Sequence, residues 1–299
     1  MGNKTKTVVI GGSGFLGSHL ADALSDAGYA VTIFDRCVSP WLRENQNMVV
    51  GNILDLRQIT EALEGARYVY HLAGVADISR SALNPRETIE LNIIGSMNVI
   101  EACVKTKVTR LLFASTVYVY SRQGSFYRVS KQTVESILET YHDQFGLEYS
   151  ILRYGSLYGP RAQDWNGLKR FVVQAVKEGR IVYPGTGEER REYIHVQDAA
   201  KLSIQALAPE FANRCLILTG TQILSTKDVM RMIGEILGRQ IKIEFIPTDP
   251  DYEIFHYSLT PYRYTPRRGE KIVPNVFIDL GQGILNMVEE VENEHPGSH

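Results

Sequence analysis

Tyr127 and Lys131 stand four residues apart at the head of Tyr127-Arg-Val-Ser-Lys131, and the apolar stripe that follows (Val134, Ile137, Leu138, Tyr141, Phe145) has helical spacing. Residues four apart share a helix face, so a phenol and an ammonium would point the same way. A cation beside a phenol favours the phenolate, and a phenol of lowered pKa can take a proton from a hydroxyl and return it. Upstream, Leu111-Leu-Phe-Ala114 reads as a strand running into Ser115-Thr116. That places hydroxyls at the carboxyl edge of a sheet, where open α/β folds bind their ligands. Taken alone, a Tyr and a Lys four apart more often mark a solvated helix face. The rest of the chain decides what they mean.

Thr7-Val-Val-Ile10 is a short buried-strand signal, Gly11-Gly-Ser-Gly14-Phe-Leu-Gly17 follows at once, and 15–27 carries apolar residues at helical spacing. Gly11 permits a tight turn, Gly14 lets the backbone approach a pyrophosphate at the helix N-terminus, and Gly17 lets helix and strand pack closely. A second strand, Ala30-Val-Thr-Ile-Phe-Asp35, ends on an acid that can accept hydrogen bonds from an adenosine ribose. The same carboxylate would repel a 2′-phosphate, so NAD is favoured over NADP. Arg36 pulls the other way, because a guanidinium beside the ribose could hold a phosphate.

These motifs need an α/β scaffold, and the chain alternates accordingly. Met48–Val50, Tyr68–Leu72, Arg110–Ala114 and Tyr149–Leu152 read as strands between helical segments, as a Rossmann-type doubly wound parallel sheet requires. Beyond Gly159-Pro160 the alternation loosens. Strand-like pieces near Ile181–Tyr183, Leu216–Leu218 and Ile241–Ile246 mix with helices, one opened by Ser225 with Asp228 three residues on. The expected division is a dinucleotide-binding domain over 1–160, with contributions from later segments, and a smaller α+β substrate-binding region over 161–295. Pro296-Gly-Ser-His299 reads as a tag remnant.

Bulk properties exclude several classes. With 299 residues and 44% hydrophobic composition the chain can bury a sizeable core, and a formal net charge of −2 argues against nucleic acid as a partner. No apolar stretch is long enough for a membrane span and none resembles a signal peptide. Cys37, Cys103 and Cys215 lack metal-ligand spacing and read as small buried hydrophobes in a reducing compartment, so no metal is expected and the location is expected to be cytoplasmic.

At this point the chain resembles the extended short-chain dehydrogenase/reductases of the nucleotide-sugar epimerase/dehydratase family, to about Leu237. Further matches are His71-Leu-Ala-Gly74, Asn92 within Leu91-Asn-Ile-Ile-Gly95, Arg153-Tyr-Gly-Ser-Leu-Tyr-Gly-Pro-Arg161, and Gly185-Thr-Gly followed by Arg191-Glu-Tyr-Ile-His-Val196 and Asp198. The resemblance implies Tyr127 as acid/base, Lys131 as its partner and a ribose ligand, and Thr116 as the hydroxyl polarising the substrate oxygen. It implies a dinucleotide bordered by Gly11, Gly14, Phe15, Leu16, Gly17, Asp35, Arg36, Asn52, Ile53, Leu72, Ala73, Gly74, Asn92, Ser115 and Tyr154. Val75, Ser156, Leu168 and Arg191 would border a nucleoside-diphosphate sugar, a UDP-sugar above all, with Arg191 on the diphosphate. His71 and His195 are expected to be structural.

The chain also departs from that family. Asn52 stands where an Asp commonly reaches the adenine, and Ser156 replaces an Asn that contacts substrate. The loop from Tyr120 to Tyr127 is much shorter than in relatives, where it helps wall the sugar pocket. Position 117–118 is Val-Tyr, without the carboxylates of dehydratases or the Cys of epimerase/reductases. Arg263, Arg267 and Arg268 are candidates for a second diphosphate contact. What remains suffices to oxidise a ring hydroxyl reversibly, so the leading expectation is a C4 epimerase working through a transient keto sugar. A keto-sugar reductase is the runner-up, with a dehydratase or a non-catalytic NAD sensor behind it. Helical segments 92–104 and 127–145, with Val99, Cys103, Val134, Leu138 and Tyr141, are expected to form a four-helix homodimer contact.

Overall fold

Residues 4–238, 240–247 and 256–259 are described by a computed structural model of the chain. Two compact units divide the chain, Met1–Tyr264 and Thr265–His299, and every described residue belongs to the first. Arg263, Arg267, Arg268 and the 296–299 tail lie outside the described residues.

Up to Tyr154 the chain runs β1 (Lys6–Ile10), α1 (Phe15–Asp26), β2 (Ala30–Asp35), β3 (Asn47–Val50), α2 (Leu56–Leu63), β4 (Tyr68–His71), α3 (Ile78–Leu83), α4 (Pro85–Ile89), a π-helical turn Glu90–Ile94, α5 (Gly95–Lys105), β5 (Arg110–Thr116), a 3-10 turn Val117–Tyr120, α6 (Ser125–Phe145) and β6 (Glu148–Tyr154). It continues through β7 (Ser156–Tyr158), α7 (Gly167–Glu178), β8 (Arg180–Pro184), β9 (Arg190–His195), α8 (Val196–Gln205), β10 (Arg214–Leu218), β11 (Ile223–Ser225), α9 (Thr226–Ile236) and β12 (Lys242–Ile246). The main sheet has seven strands in the order β10-β6-β5-β4-β1-β2-β3, all parallel. Strand order reverses between β1 and β4, and the crevice beyond their carboxyl ends is the natural ligand site.

Continuous apolar strands such as Thr7–Ile10 and Leu111–Phe113 need cover on both faces, and they have it. One core packs Val8, Ile10, Leu111 and Phe113 with side chains of α2, α5 and α6, while the other packs Val9, Ile33, Leu112 and Leu152 with α1 and α8. The remainder forms a small α+β lobe. Its sheets are β11-β9-β7 and β12-β8, and α7 and α9 close over a third core around Ile181, Tyr183, Met230 and Ile233. Ser225 caps α9 by accepting from Asp228 N–H at 3.1 Å, as its spacing suggested. The lobe is not a separate tail: β10 returns to the main sheet beside β6.

Two expectations fail on burial. Cys37 and Cys215 are exposed, and only Cys103 is a buried hydrophobe. Val99, Cys103, Val134 and Leu138 are fully buried within the chain's own core, so they offer no surface to a second subunit. Apolar positions 99, 103, 134 and 138 face the sheet because that face carries the helical stripe, whereas Ile94, Phe126 and Val129 face outward. Among the described residues no helix is long and apolar enough to cross a membrane.

Backbones approach closely at the glycine loop. A Cβ on Gly17 would sit 2.2 Å from the Gly11 carbonyl oxygen, and one on Gly11, whose φ is +83°, would sit 2.6 Å from Ala73 N. Gly17→Ala is expected to cost about 1–3 kcal/mol through overpacking and to lower the thermal midpoint by several degrees. Gly167→Ala is the control, since an added Cβ there meets nothing within 4 Å. Equal midpoints for the two variants in differential scanning calorimetry would contradict this packing account.

Candidate active site

The first side of the crevice is backbone. Gly11 donates to the Phe34 carbonyl at 2.8 Å and Gly14 N donates to Gly11 O at 3.2 Å, which curls the loop over the end of β1. No side chain caps α1 at Gly14, and the space at the Gly14 Cβ position meets only the Gly11 oxygen at 3.2 Å. An uncapped helix N-terminus with open space before it suits a pyrophosphate. Asp35 lies beside the loop, accepting from Ser13 N–H at 3.0 Å and Cys37 N–H at 3.2 Å. An ionised carboxylate has further lone pairs, which a ribose diol can fill. Arg36 is exposed. The donor set therefore fits a dinucleotide.

Next to the loop, Ile53 is buried under Gly95, where a Cβ would stand 2.6 Å from its Cδ1. Asn52 is exposed and its side-chain oxygen accepts from Leu54 N–H at 3.0 Å. Leu72 and Ala73 are half-buried at the end of β4, and Gly74 has φ +145°. A Cβ there would meet Asn92 Oδ1 at 2.5 Å. Asn92 sits in the π-helical turn with its carboxamide fully engaged: Oδ1 accepts from Val75 N–H at 2.7 Å, and Nδ2 donates to Val75 O and Ser130 Oγ, each at 3.0 Å. It braces the loop that carries Gly74 and Val75 against α6.

Tyr127 and Lys131 fall in the first turns of α6, as their spacing suggested, but their electrostatics differ from the simple cation-and-phenol picture. Lys131 is 6% exposed, donates to the Ala114 carbonyl at 2.7 Å, and lies 4.7 Å from the Phe113 ring centre and 5.9 Å from that of Tyr127. Burial lowers its pKa from 10.5 to about 8, with Glu135 opposing. The Tyr127 phenol is pushed up to about 12 by burial, and its hydrogen bond with Thr116 pulls the other way. Desolvation, not the neighbouring ammonium, dominates the phenol. Thr116 is 5% exposed, and its Oγ1 also accepts from Tyr118 N–H at 3.2 Å.

A buried network behind this pair was not anticipated. Ser115 donates to Glu135 Oε1, and Glu135 pairs with Arg153 at 2.6 Å, whose other nitrogen donates to Tyr120 OH. Glu135 lies four residues beyond Lys131, so the helical repeat that aligned Tyr127 with Lys131 could have pointed to it. Ser115 is thereby committed to the network. Tyr154 is likewise committed to packing, with its hydroxyl on Ser203 Oγ at 2.6 Å. Both histidines expected to be structural are engaged in support: His71 is fully buried against Ser96 at 2.8 Å, and His195 Nδ1 caps α8 by accepting from Gln197 N–H at 3.3 Å.

The small lobe contributes the other side. Ser156 is half-buried in β7, and Leu168 in α7 packs against the lobe's core. Arg191 lies 4.5 Å above the Tyr257 ring and donates to the Arg190 carbonyl at 3.0 Å. Tyr257 is 5% exposed and stands 4.4 Å from the Tyr118 ring, while Tyr118 OH bonds His256 Nδ1 at 2.9 Å. Arg190 N–H donates to the Ser258 carbonyl at 2.8 Å. His256 and Tyr257 thus lie against the 3-10 turn. Nothing in their sequence announced this, because the surrounding segment fits the family pattern poorly.

Comparison with known proteins agrees with this geometry. The NAD dependent epimerase/dehydratase family matches over residues 7–214. The UDP-N-acetyl-alpha-D-glucosaminuronate decarboxylase of Bacillus cytotoxicus is 28% identical, with 83% of this chain and 85% of the relative covered. The UDP-glucuronate 4-epimerase of Thermodesulfobacterium geofontis is 26% identical, with 80% and 83% covered. Among solved structures, a UDP-glucose 4-epimerase with UDP-glucose from Thermotoga maritima superposes with a TM-score of 0.79 at 26% identity, over 87% of this chain and 90% of that one. The glycine loop, the strand-end hydroxyls and the Tyr127–Lys131 pair all fall inside the matched region, and the chain belongs to the NAD dependent epimerase/dehydratase family.

Proposed function

We propose that this enzyme interconverts the C4 epimers of a UDP-sugar through a transient 4-keto sugar. The observation that carries the reading is the hydrogen-bonded Thr116–Tyr127 pair at the carboxyl end of β5, with Lys131 buried beside it and no carboxylate at Val117 or Tyr118. Elimination of water needs a further acid and base, and hydroxyl oxidation does not. The UDP-sugar epimerases and decarboxylases among its relatives support the substrate class.

NAD would be held by Gly11, Gly14, Phe15, Leu16, Gly17, Asp35, Ile53 and the Leu72–Gly74 turn, with Lys131 on its nicotinamide ribose. When bound, it supplies the hydride acceptor and a positive charge near the phenol. Tyr127 takes the proton of the C4 hydroxyl and later returns it. Thr116 orients the oxygen that changes between hydroxyl and carbonyl. Lys131, anchored by the Ala114 carbonyl, keeps a positive charge below the phenol. Arg191 would fork onto the diphosphate, with Val75, Ser156 and Leu168 lining the sugar nucleotide. Residues 1–160 thus carry mainly the dinucleotide and 161–295 mainly the substrate.

Purified protein should interconvert a C4 epimer pair of a UDP-hexose, UDP-N-acetylhexosamine or UDP-hexuronic acid without added reductant, as followed by NMR. Tyr127→Phe should lower that rate by about 10²–10⁴-fold while NAD stays bound. Steady consumption of NADH on a UDP-4-keto sugar, with no interconversion, would favour a reductase, and release of carbon dioxide from a UDP-hexuronic acid would favour a decarboxylase.

A pH profile tests Lys131 separately. Its folded pKa is depressed, so the ammonium is present below about pH 8 and is lost as pH rises through that value. Between about 8 and 10.5 the unfolded chain binds the extra proton, so this group's contribution to stability rises with pH as activity falls. A rate that stays flat to pH 10 would rule out a charged Lys131 in the rate-limiting step.

Arg191→Lys keeps the charge and loses the planar fork, so UDP affinity should drop roughly tenfold with NAD affinity intact, as read by calorimetry. A parallel loss for both ligands would make Arg191 structural. Assembly as a homodimer in a reducing compartment is also proposed, with Ile94, Phe126 and Val129 (48%, 41% and 38% exposed) as the apolar surface on the paired helices. Sedimentation velocity that shows a monomer at micromolar protein, with full activity, would remove the dimer.

A further inference from the structure

The chain's two tryptophans are far apart in sequence, yet both line one shallow groove that shares no residue with the candidate active site. Its volume of about 570 Å³ falls within the range of small-molecule sites. One wall is the loop between β2 and β3, which carries Trp41. The other is the stretch from Arg161 to Trp165, together with Lys169 in the first turn of α7. Arg161 joins the two: its guanidinium lies 5.3 Å from the Trp41 ring centre, and Nη2 pairs with Asp22 of α1 at 2.9 Å. Arg43 pairs with the same carboxylate at 2.8 Å, which pins the Trp41 loop to α1. Trp165 is left 46% exposed.

The fold alone does not account for this lining. Arg161 holds a φ of +65°, a left-handed conformation that costs energy in any residue with a side chain and that clusters at ligand sites. Its Nη1 and the Oε1 of Gln163 are buried without a hydrogen-bond partner among the described residues. One is a donor and the other an acceptor, and each is costly to leave unpaired. Charge narrows the ligand. Arg161 is matched by Asp22, and Lys169 by Asp164 at 2.7 Å, so a phosphate or carboxylate would find no surplus cation in the lining. A sugar hydroxyl can accept from Nη1–H and donate to Oε1, and the C–H face of a pyranose packs on an indole as other apolar surface does.

We propose that this groove binds an uncharged hexopyranose glycan. One ring lies on Trp165, and its hydroxyls engage Arg161 and Gln163, whose side chains turn toward the groove as the ligand enters. The crevice stays free, so NAD and a UDP-sugar can be bound at the same time. The inference therefore stands whether or not the C4 reading does.

Because both tryptophans lie in the groove, intrinsic fluorescence reports its occupancy directly. The full-length protein, saturated with NAD and UDP so that the crevice is filled, is titrated with maltohexaose, cellohexaose and chitohexaose. At least one should give a saturable change in emission, half complete below about 1 mM. Trp165→Ala and Gln163→Leu should each weaken binding about tenfold, as read by calorimetry, with thermal midpoints close to that of the parent; the glutamine variant keeps both indoles and guards against a defect in the tryptophan one. No response to any of the three sugars would overturn the inference, and so would binding undiminished in both variants. A response to AMP or inorganic phosphate that requires Trp165, with none to the sugars, would overturn it in favour of an anion site.

Discussion

The arrangement depends on how closely α1 can approach the end of β1. That distance is set by two missing side chains, since any Cβ on Gly17 would clash with the Gly11 oxygen, 2.2 Å away. With both absent, the helix N-terminus points its unpaired N–H groups across the carboxyl end of the sheet. Asp35 is brought beside the loop by the parallel pairing of β1 with β2, and the Leu72–Gly74 turn by the pairing of β1 with β4. A dinucleotide laid over that edge would extend toward β5, where Thr116 ends its strand and Lys131 reaches back to the Ala114 carbonyl.

The proposed reacting groups, Thr116, Tyr127 and Lys131, are held from behind. Glu135 ties Ser115 on β5, Arg153 on β6 and, through Arg153, Tyr120 into one buried network. A buried ion pair of this kind is weak evidence for stability, because desolvation offsets most of its attraction. It is better understood as geometry. It fixes the rotation of α6 against the sheet, and that rotation determines whether Tyr127 and Lys131 face the crevice.

Much of the fold was legible because parallel strands covered on both faces must be apolar along their length, and helices must repeat every three to four residues. The glycine loop, Asp35, Thr116, Tyr127 and Lys131 were legible for a different reason: their chemistry requires particular residue types at particular spacings. Burial was less so. Val134 and Leu138 were misread as surface for a partner subunit, since periodicity marks an apolar face without saying what covers it. Cys37 and Cys215 were misread because composition says nothing about which side of a loop or edge strand faces solvent. Tyr118, His256 and Tyr257 could not be brought together at all from sequence, because their contact depends on a long-range return of the chain that no local pattern encodes.

The edge strand β10 has a consequence for how the small lobe can vary. Everything from β7 to α8 is spliced between β6 and β10, neighbours in the main sheet, with α8 packed over α1. The part of the lobe from β7 to β9 is therefore, thermodynamically, a closed loop hung on one edge of the main sheet, with β11, α9 and β12 added after β10. Doubling the length of such a loop costs only about 0.6 kcal/mol in closure entropy. Segments that shape one wall of the crevice can therefore be lengthened, trimmed or replaced at little cost to the sheet, and residues such as Arg191 can change partners while the glycine loop and Tyr127 stay where they are. The edge of the β-sheet thus separates what may drift from what may not.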